Sequence, residues 1–117
     1  MIKIYHNPRC RKSRSGLEYL KTKGLEFKVV EYMKEHFTVE SFKEILAKLN
    51  ISPKEMIREQ EQIYLKQFKG RNFTNEEWIK ILIENPNMIK RPIVEKDYKA
   101  VWADPPEKID NLFKLKK

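Results

Sequence analysis

The chain opens on a short apolar run, Ile2, Ile4 and Tyr5, with β-branched character and a stop at Asn7-Pro8, which predicts a strand over residues 2–6. The apolar period then lengthens. Leu17 and Leu20 share one face, Tyr19 flanks them and Gly24 suits a left-handed C-terminal position, so a helix is predicted over about 11–23. Phe27-Lys28-Val29-Val30-Glu31-Tyr32 reads as a second strand. Strand, helix and strand in so short a span form a βαβ unit, whose two strands run parallel.

The middle third is helical. Thr38 is the predicted N-cap of a helix reaching Leu49, with Phe42, Ile45, Leu46 and Leu49 at helical spacing. Ser52-Pro53-Lys54-Glu55 offers a cap, a proline at the first helical position and a returning glutamate, starting a short helix through Met56, Ile57 and Arg58. Residues 60–72 are weakly patterned and read as an irregular link with a single turn. Thr74-Asn75-Glu76-Glu77 is a capping box ahead of Trp78, Ile79, Leu82 and Ile83, and Asn85-Pro86 ends that helix.

In the last third, Ile93-Val94 and Ala100-Val101-Trp102 flank the polar stretch Glu95–Lys99 and predict a β-hairpin. Asp104-Pro105-Pro106-Glu107 begins a terminal helix carrying Ile109, Leu112 and Phe113. The order βαβ, three helical segments, ββα predicts an α/β protein: a thioredoxin-like fold with a mixed four-stranded sheet and a helical insert over about 38–86, in one domain spanning 1–117.

Composition narrows the classes. Hydrophobic residues are 40% and charged residues 36% of the 117, the profile of a globular chain with a heavily charged surface. No apolar run approaches the ~18 residues of a membrane span, and the N-terminus lacks the apolar core of a signal peptide, so a cytoplasmic protein with no membrane association is expected. The net charge is +8, and residues 1–23 carry seven basic side chains against the single acid Glu18. That field suits a small anion or an acidic protein partner; its plainer reading is a solvated basic face. No recognition-helix motif or interleaved aromatic–basic stripe points to direct nucleic-acid binding.

The field surrounds the single cysteine, Cys10, at the junction of the first strand and helix. One cysteine forms no internal disulfide and does not by itself complete a structural zinc site, and His36 is the only histidine besides His6, so no metal is expected. At a helix N-terminus a thiol meets unpaired N–H groups and the positive end of the peptide dipole, both favouring thiolate. A free thiol with a pKa of about 8.5 is only ~3% ionised at neutrality, and lowering it by about two units, roughly 2.7 kcal/mol, makes thiolate the majority. Cys10 is therefore the candidate nucleophile. Its plainer reading is a small core residue. His6 is either an electrostatic aid or a hydrogen-bonded structural histidine; Ser13 either donates to the thiolate or caps the helix; Arg58 either binds an anion or complements a helix end. Trp78 and Trp102 read as core.

Ile4-Tyr5-His6-Asn7-Pro8-x-Cys10-x-x-Ser13-Arg14, the central Met56-Ile57-Arg58 and Lys90-Arg91-Pro92-Ile93-Val94 resemble, in order and spacing over nearly the whole chain, the glutaredoxin-coupled arsenate reductases and their Spx-like relatives. The resemblance implies Cys10 as nucleophile, His6 as the residue that helps hold it ionised, and Arg58 and Arg91 as oxyanion ligands, with Pro92 in a cis peptide beside the thiol. Helix N–H groups from Arg11 and Lys12 to Ser13 would cradle the oxygens. It further implies a small oxyanion substrate, no bound cofactor, glutathione or another low-molecular-weight thiol as co-substrate, and a glutaredoxin-like protein partner. At one place the chain departs from the pattern: Asp104, before Pro105, stands where the family has its third arginine, and a carboxylate there repels arsenate. Two alternatives follow: a glutathione-linked thiol–disulfide reductase without arsenate activity, which Asp104 favours, and an Spx-like regulator binding RNA polymerase. The familiar Spx switch uses a Cys-x-x-Cys pair, and Ser13 takes the second place here.

Overall fold

The structure is a computed structural model and describes residues 1–113 of the 117. The chain forms two compact units, one of Met1–Glu35 with the segment from Arg91 onward, the other of His36–Lys90.

The first unit holds the sheet. Strands β1 (Ile2–Tyr5), β2 (Lys28–Val30), β3 (Ile93–Lys96) and β4 (Lys99–Trp102) lie in the order β2-β1-β3-β4. β1 is parallel to β2 and antiparallel to β3, and β3 is antiparallel to β4, the mixed thioredoxin-like arrangement expected. Helix α1 (Arg11–Lys21) makes the crossover between the parallel strands. Ile4 stands opposite Val94 and Ile2 opposite Lys96. With a side-chain period of two, Ile2, Ile4 and Val94 therefore share a face. There they pack with Leu20 of α1 and with Ala103, Ile109 and Leu112. Each such large side chain contributes about 1.5–3 kcal/mol on full burial.

Several boundaries differ from the sequence expectation. β2 is shorter, and α1 ends at Lys21, with Gly24 in the left-handed region at φ 69° just beyond it. The hairpin strands extend through Lys96 and from Lys99, leaving a tight turn at Asp97-Tyr98, where Asp97 takes φ 57°. Aspartate tolerates that conformation because its short polar chain bonds locally. The terminal segment, Pro106–Phe113, is a 3-10 helix and not the α-helix expected. Ile109 and Leu112 are three residues apart, the spacing that a helix of three residues per turn aligns on one side, and both are buried. The phenol of Tyr19 donates to the Asp110 carboxylate at 2.9 Å, and Lys23 Nζ lies 2.5 Å from it, fastening this segment to α1.

The second unit is helical, with α2 (Val39–Leu49) and α3 (Asn75–Glu84). Both predicted caps are present. Thr38 Oγ1 accepts from Ser41 N at 3.0 Å, and Thr74 Oγ1 from Glu77 N at 3.1 Å, each with the reciprocal bond formed. Pro53–Met56 is a single 3-10 turn, and Tyr64–Phe68 a short π-helical turn within the weakly patterned link. Phe42, Ile45, Trp78 and Leu82 are buried in this unit, and the Phe73 and Trp78 rings meet edge-on at 4.9 Å. Trp102, expected in the core, is only half-buried.

Candidate active site

The segment from His6 to Ser13 is built by its own hydrogen bonds. His6 N donates to Val30 O at 2.8 Å, extending the β1–β2 pairing by one step. The Asn7 side chain accepts from Arg9 N at 3.1 Å, an Asx turn, and Cys10 N donates to Asn7 O at 3.0 Å. The Arg14 guanidinium donates to Pro8 O at 2.9 Å. Cys10 is thereby fixed as the N-cap residue of α1, with extended φ −101° and ψ 125°.

Cys10 is buried, with 9% of the residue's surface exposed. Burial pushes the thiol pKa up, but the Ser13 N–H, the Arg91 side chain and charge, and the Lys12 N–H act the other way and hold it below the ordinary range. A lowered thiol pKa makes thiolate, the nucleophilic form, more accessible than in a free cysteine.

His6 and Ser13 make a second, joined pair. His6 Nδ1 is 2.7 Å from Ser13 Oγ, and Asn7 N donates to the same oxygen at 2.9 Å. Burial lowers the His6 pKa, with Arg14 and Lys21 adding to the effect against Glu31. His6 is therefore neutral near pH 7. Its place in the structure is beside the Ser13 hydroxyl, on the turn whose N–H faces the sulfur, so it orients that turn.

Arg91 is buried, with 6% exposed, and its peptide bond to Pro92 is cis, as expected; Asp104–Pro105 is also cis. The end of β4 holds this corner. Trp102 Nε1 donates to Arg91 O at 3.2 Å, and Ala103 N to Pro92 O at 2.9 Å. Gly16 of α1 packs against the same proline: a Cβ there would stand 2.5 Å from the Pro92 ring and 3.7 Å from Ala103 O.

The first unit thus brings Cys10, Ser13, the Lys12 backbone and Arg91 onto one sulfur, with His6 behind Ser13 and Pro92 beside Arg91. Of the other expected ligands, Lys12 and Arg58 have partners of their own. The Lys12 ammonium lies 3.0 Å from Asp104 Oδ2, so Lys12 offers its N–H while its charge is taken up. Arg11 is exposed and lines an open groove of about 450 Å³ with Arg14, Glu18 and Glu107. Arg58 belongs to the second unit, where its N–H donates to Met88 O at 2.6 Å and its guanidinium pairs with the Glu61 carboxylate. No cluster of His, Cys, Asp and Glu able to hold a metal occurs among the described residues, and no helix among them is long and apolar enough to cross a membrane.

Reasoning from sequence missed Asn7, Gly16 and the Lys12–Asp104 pair as parts of this site. Asn7 before Pro8 was legible as a turn, but its role as acceptor for the residue preceding the thiol follows from the loop geometry. Gly16 carried the faint signal of a glycine inside a helix.

Known proteins share this sequence pattern and fold. The chain is 36% identical over 110 residues to the uncharacterized protein YfgD of Escherichia coli (strain K12), covering 92% of each. It is 33% identical over 114 residues to the arsenate reductase of Neisseria meningitidis serogroup A, covering 96% of this chain and 97% of that one. The solved structure of the arsenate reductase from Vibrio cholerae superposes with a TM-score of 0.89 at 30% identity, over 95% of this chain and 96% of the other. Residues 5–112 match the ArsC family, and the chain belongs to it.

Proposed function

We propose that this protein is a thiol oxidoreductase of arsenate-reductase type in which Cys10 attacks an oxyanion and a small thiol completes the reduction. The observation that carries the reading is a buried sulfur held below the ordinary thiol range by Ser13, Arg91 and Lys12 despite the opposing effect of burial. The names of the relatives from Neisseria and Vibrio point the same way.

In this scheme the Cys10 thiolate bonds to arsenic, and one arsenic oxygen takes up protons and leaves as water. The Arg91 guanidinium and the N–H groups opening α1 stabilise the charge on the remaining oxygens. The two electrons that convert arsenate to arsenite come from two thiols, Cys10 and a low-molecular-weight thiol such as glutathione, which end joined as a mixed disulfide. The sequence holds no second cysteine to resolve that disulfide, so a glutaredoxin-like protein restores Cys10 by thiol exchange. This chemistry suits a reducing compartment such as the cytoplasm.

A coupled assay with arsenate, glutathione, glutaredoxin and its reductase tests the reading. Turnover is expected to depend on the thiols and to vanish in Cys10→Ser; turnover that survives the substitution removes Cys10 from the mechanism. A second reading, glutathione-linked reduction of mixed disulfides, is favoured by the Asp104 carboxylate at Lys12. It prevails if arsenate is inert while a glutathionylated peptide is reduced. Retention of RNA polymerase without thiol turnover would support a regulator instead.

A further inference from the structure

We propose that Asp104 determines how much negative charge the Cys10 site accepts: by taking up the Lys12 ammonium it selects electrophiles carrying one negative charge or none over doubly charged oxyanions. The role deepens the reading of Cys10 as a nucleophile and rests on it for its use in turnover.

The argument is one of placement and charge. Lys12 sits in the first turn of α1 and turns its N–H toward the Cys10 sulfur, while its Nζ lies 3.0 Å from Asp104 Oδ2. The Lys12 side chain is 48% exposed, and the carboxylate is the anchored partner. The Asp104 side chain is 26% exposed, and the backbone before it is fixed on two sides. Ala103 N donates to Pro92 O at 2.9 Å, and Asp104 N donates to Trp102 O at 3.0 Å. Trp102 in turn holds the carbonyl of Arg91, whose side chain acts on the sulfur. Asp104 therefore rides on the same corner as Arg91 and reaches the first turn of the helix that begins at Cys10.

Without Asp104, an entering anion would meet Arg91, a free Lys12 ammonium and the positive end of α1. With it, the lysine charge is offset and one carboxylate is added close by. The energy of a charge in that field scales with the charge it carries, so each added negative charge on the electrophile is penalised again. A neutral disulfide is unaffected, and a monoanion is penalised once. A dianion is penalised most.

Alkylation of Cys10 tests this separately from arsenate turnover. Iodoacetate and iodoacetamide attack by the same route and need the same thiolate, and they differ in one negative charge, so the ratio of their rates cancels the thiol pKa. Asp104→Asn is expected to raise the iodoacetate-to-iodoacetamide ratio by about 3- to 10-fold at low salt, with the gain shrinking as ionic strength rises. Asp104→Glu, which keeps the charge, is expected to stay near the original ratio. Lys12→Gln, which leaves the carboxylate uncompensated, is expected to lower it. An unchanged ratio in Asp104→Asn overturns the proposal, as does an equal rise in Asp104→Glu, which would mean that shape and not charge is at work. Should Asp104→Asn fold poorly, the Lys12→Gln ratio decides alone, and its failure to fall overturns the proposal. In arsenate assays KM is expected to fall in Asp104→Asn, more at mildly alkaline than at mildly acidic pH, because the doubly charged form then predominates. Absence of arsenate turnover in the unaltered protein and in every variant, with the ratio shift intact, would refute the reductase reading and leave Asp104 in this role.

Discussion

Arg91 acts on Cys10 from the far end of the sequence through its side chain, while an indole holds its backbone carbonyl. Charge from the guanidinium and the N–H groups of Ser13 and Lys12 outweighs burial at the sulfur. The rate of Cys10 alkylation against pH is therefore expected to show a midpoint below the ~8.5 of a free thiol, and Arg91→Ala to move that midpoint upward. A variant that alkylates with the original midpoint would show that the arginine serves only packing. At this scale the sequence was informative where chemistry is local. A cysteine after Asn-Pro, flanked by bases at a strand-to-helix junction, is legible as a candidate nucleophile, whereas Arg91-Pro92 became its expected companion only through the family resemblance. The Lys12–Asp104 contact was not, because an ion pair between distant positions leaves no periodic or compositional trace. Asp104 was legible only as a carboxylate in an unexpected place.

Among the elements, α1 carries the most demand, since one face packs on the sheet and one end presents the thiol. Gly16 shows how the two are linked. A glycine inside a helix costs about 1 kcal/mol relative to alanine, and here the proline ring beside it leaves no room for a methyl group. Gly16→Ala is expected to lower stability by about 1–3 kcal/mol in denaturant unfolding and to raise the Cys10 alkylation midpoint, because Pro92 and Arg91 must shift. Ser15→Ala on the exposed side of the same helix should do neither. If Gly16→Ala unfolds at the original denaturant concentration and reacts at the original midpoint, the packing is looser than drawn. Capping boxes and apolar spacing were sufficient to place α2, α3 and the hairpin. They did not separate α from 3-10 geometry at Pro106–Phe113, since Ile109 and Leu112 satisfy either period over so short a run.

For the molecule as a whole, the burial of His6 ties stability to pH. Its pKa in the fold lies below the 6.5 of a free histidine, so above that value neither state binds the proton and nothing is lost. As pH falls from about 6.5 toward the folded value, the unfolded chain takes up a proton that the fold refuses, and stability declines. Below the folded value the loss is complete and constant. Urea midpoints across this range are expected to fall less steeply in His6→Asn than in the unaltered chain; identical slopes would place the acid sensitivity in other groups. The order βαβ, helical insert, ββα was readable because each change of apolar period coincided with a cap, a glycine or a proline.

Trp102 donates its indole N–H to the carbonyl beside the reactive corner and has Lys108 over its ring at 5.2 Å, whereas Trp78 lies among phenylalanines in the other unit. The sequence contains these two tryptophans and no more, so each unit carries its own native fluorophore. Removing Trp78 leaves a tryptophan emission, selectively excited, that belongs to the thiol-bearing unit alone. Events at the sulfur can then be followed in real time without a dye.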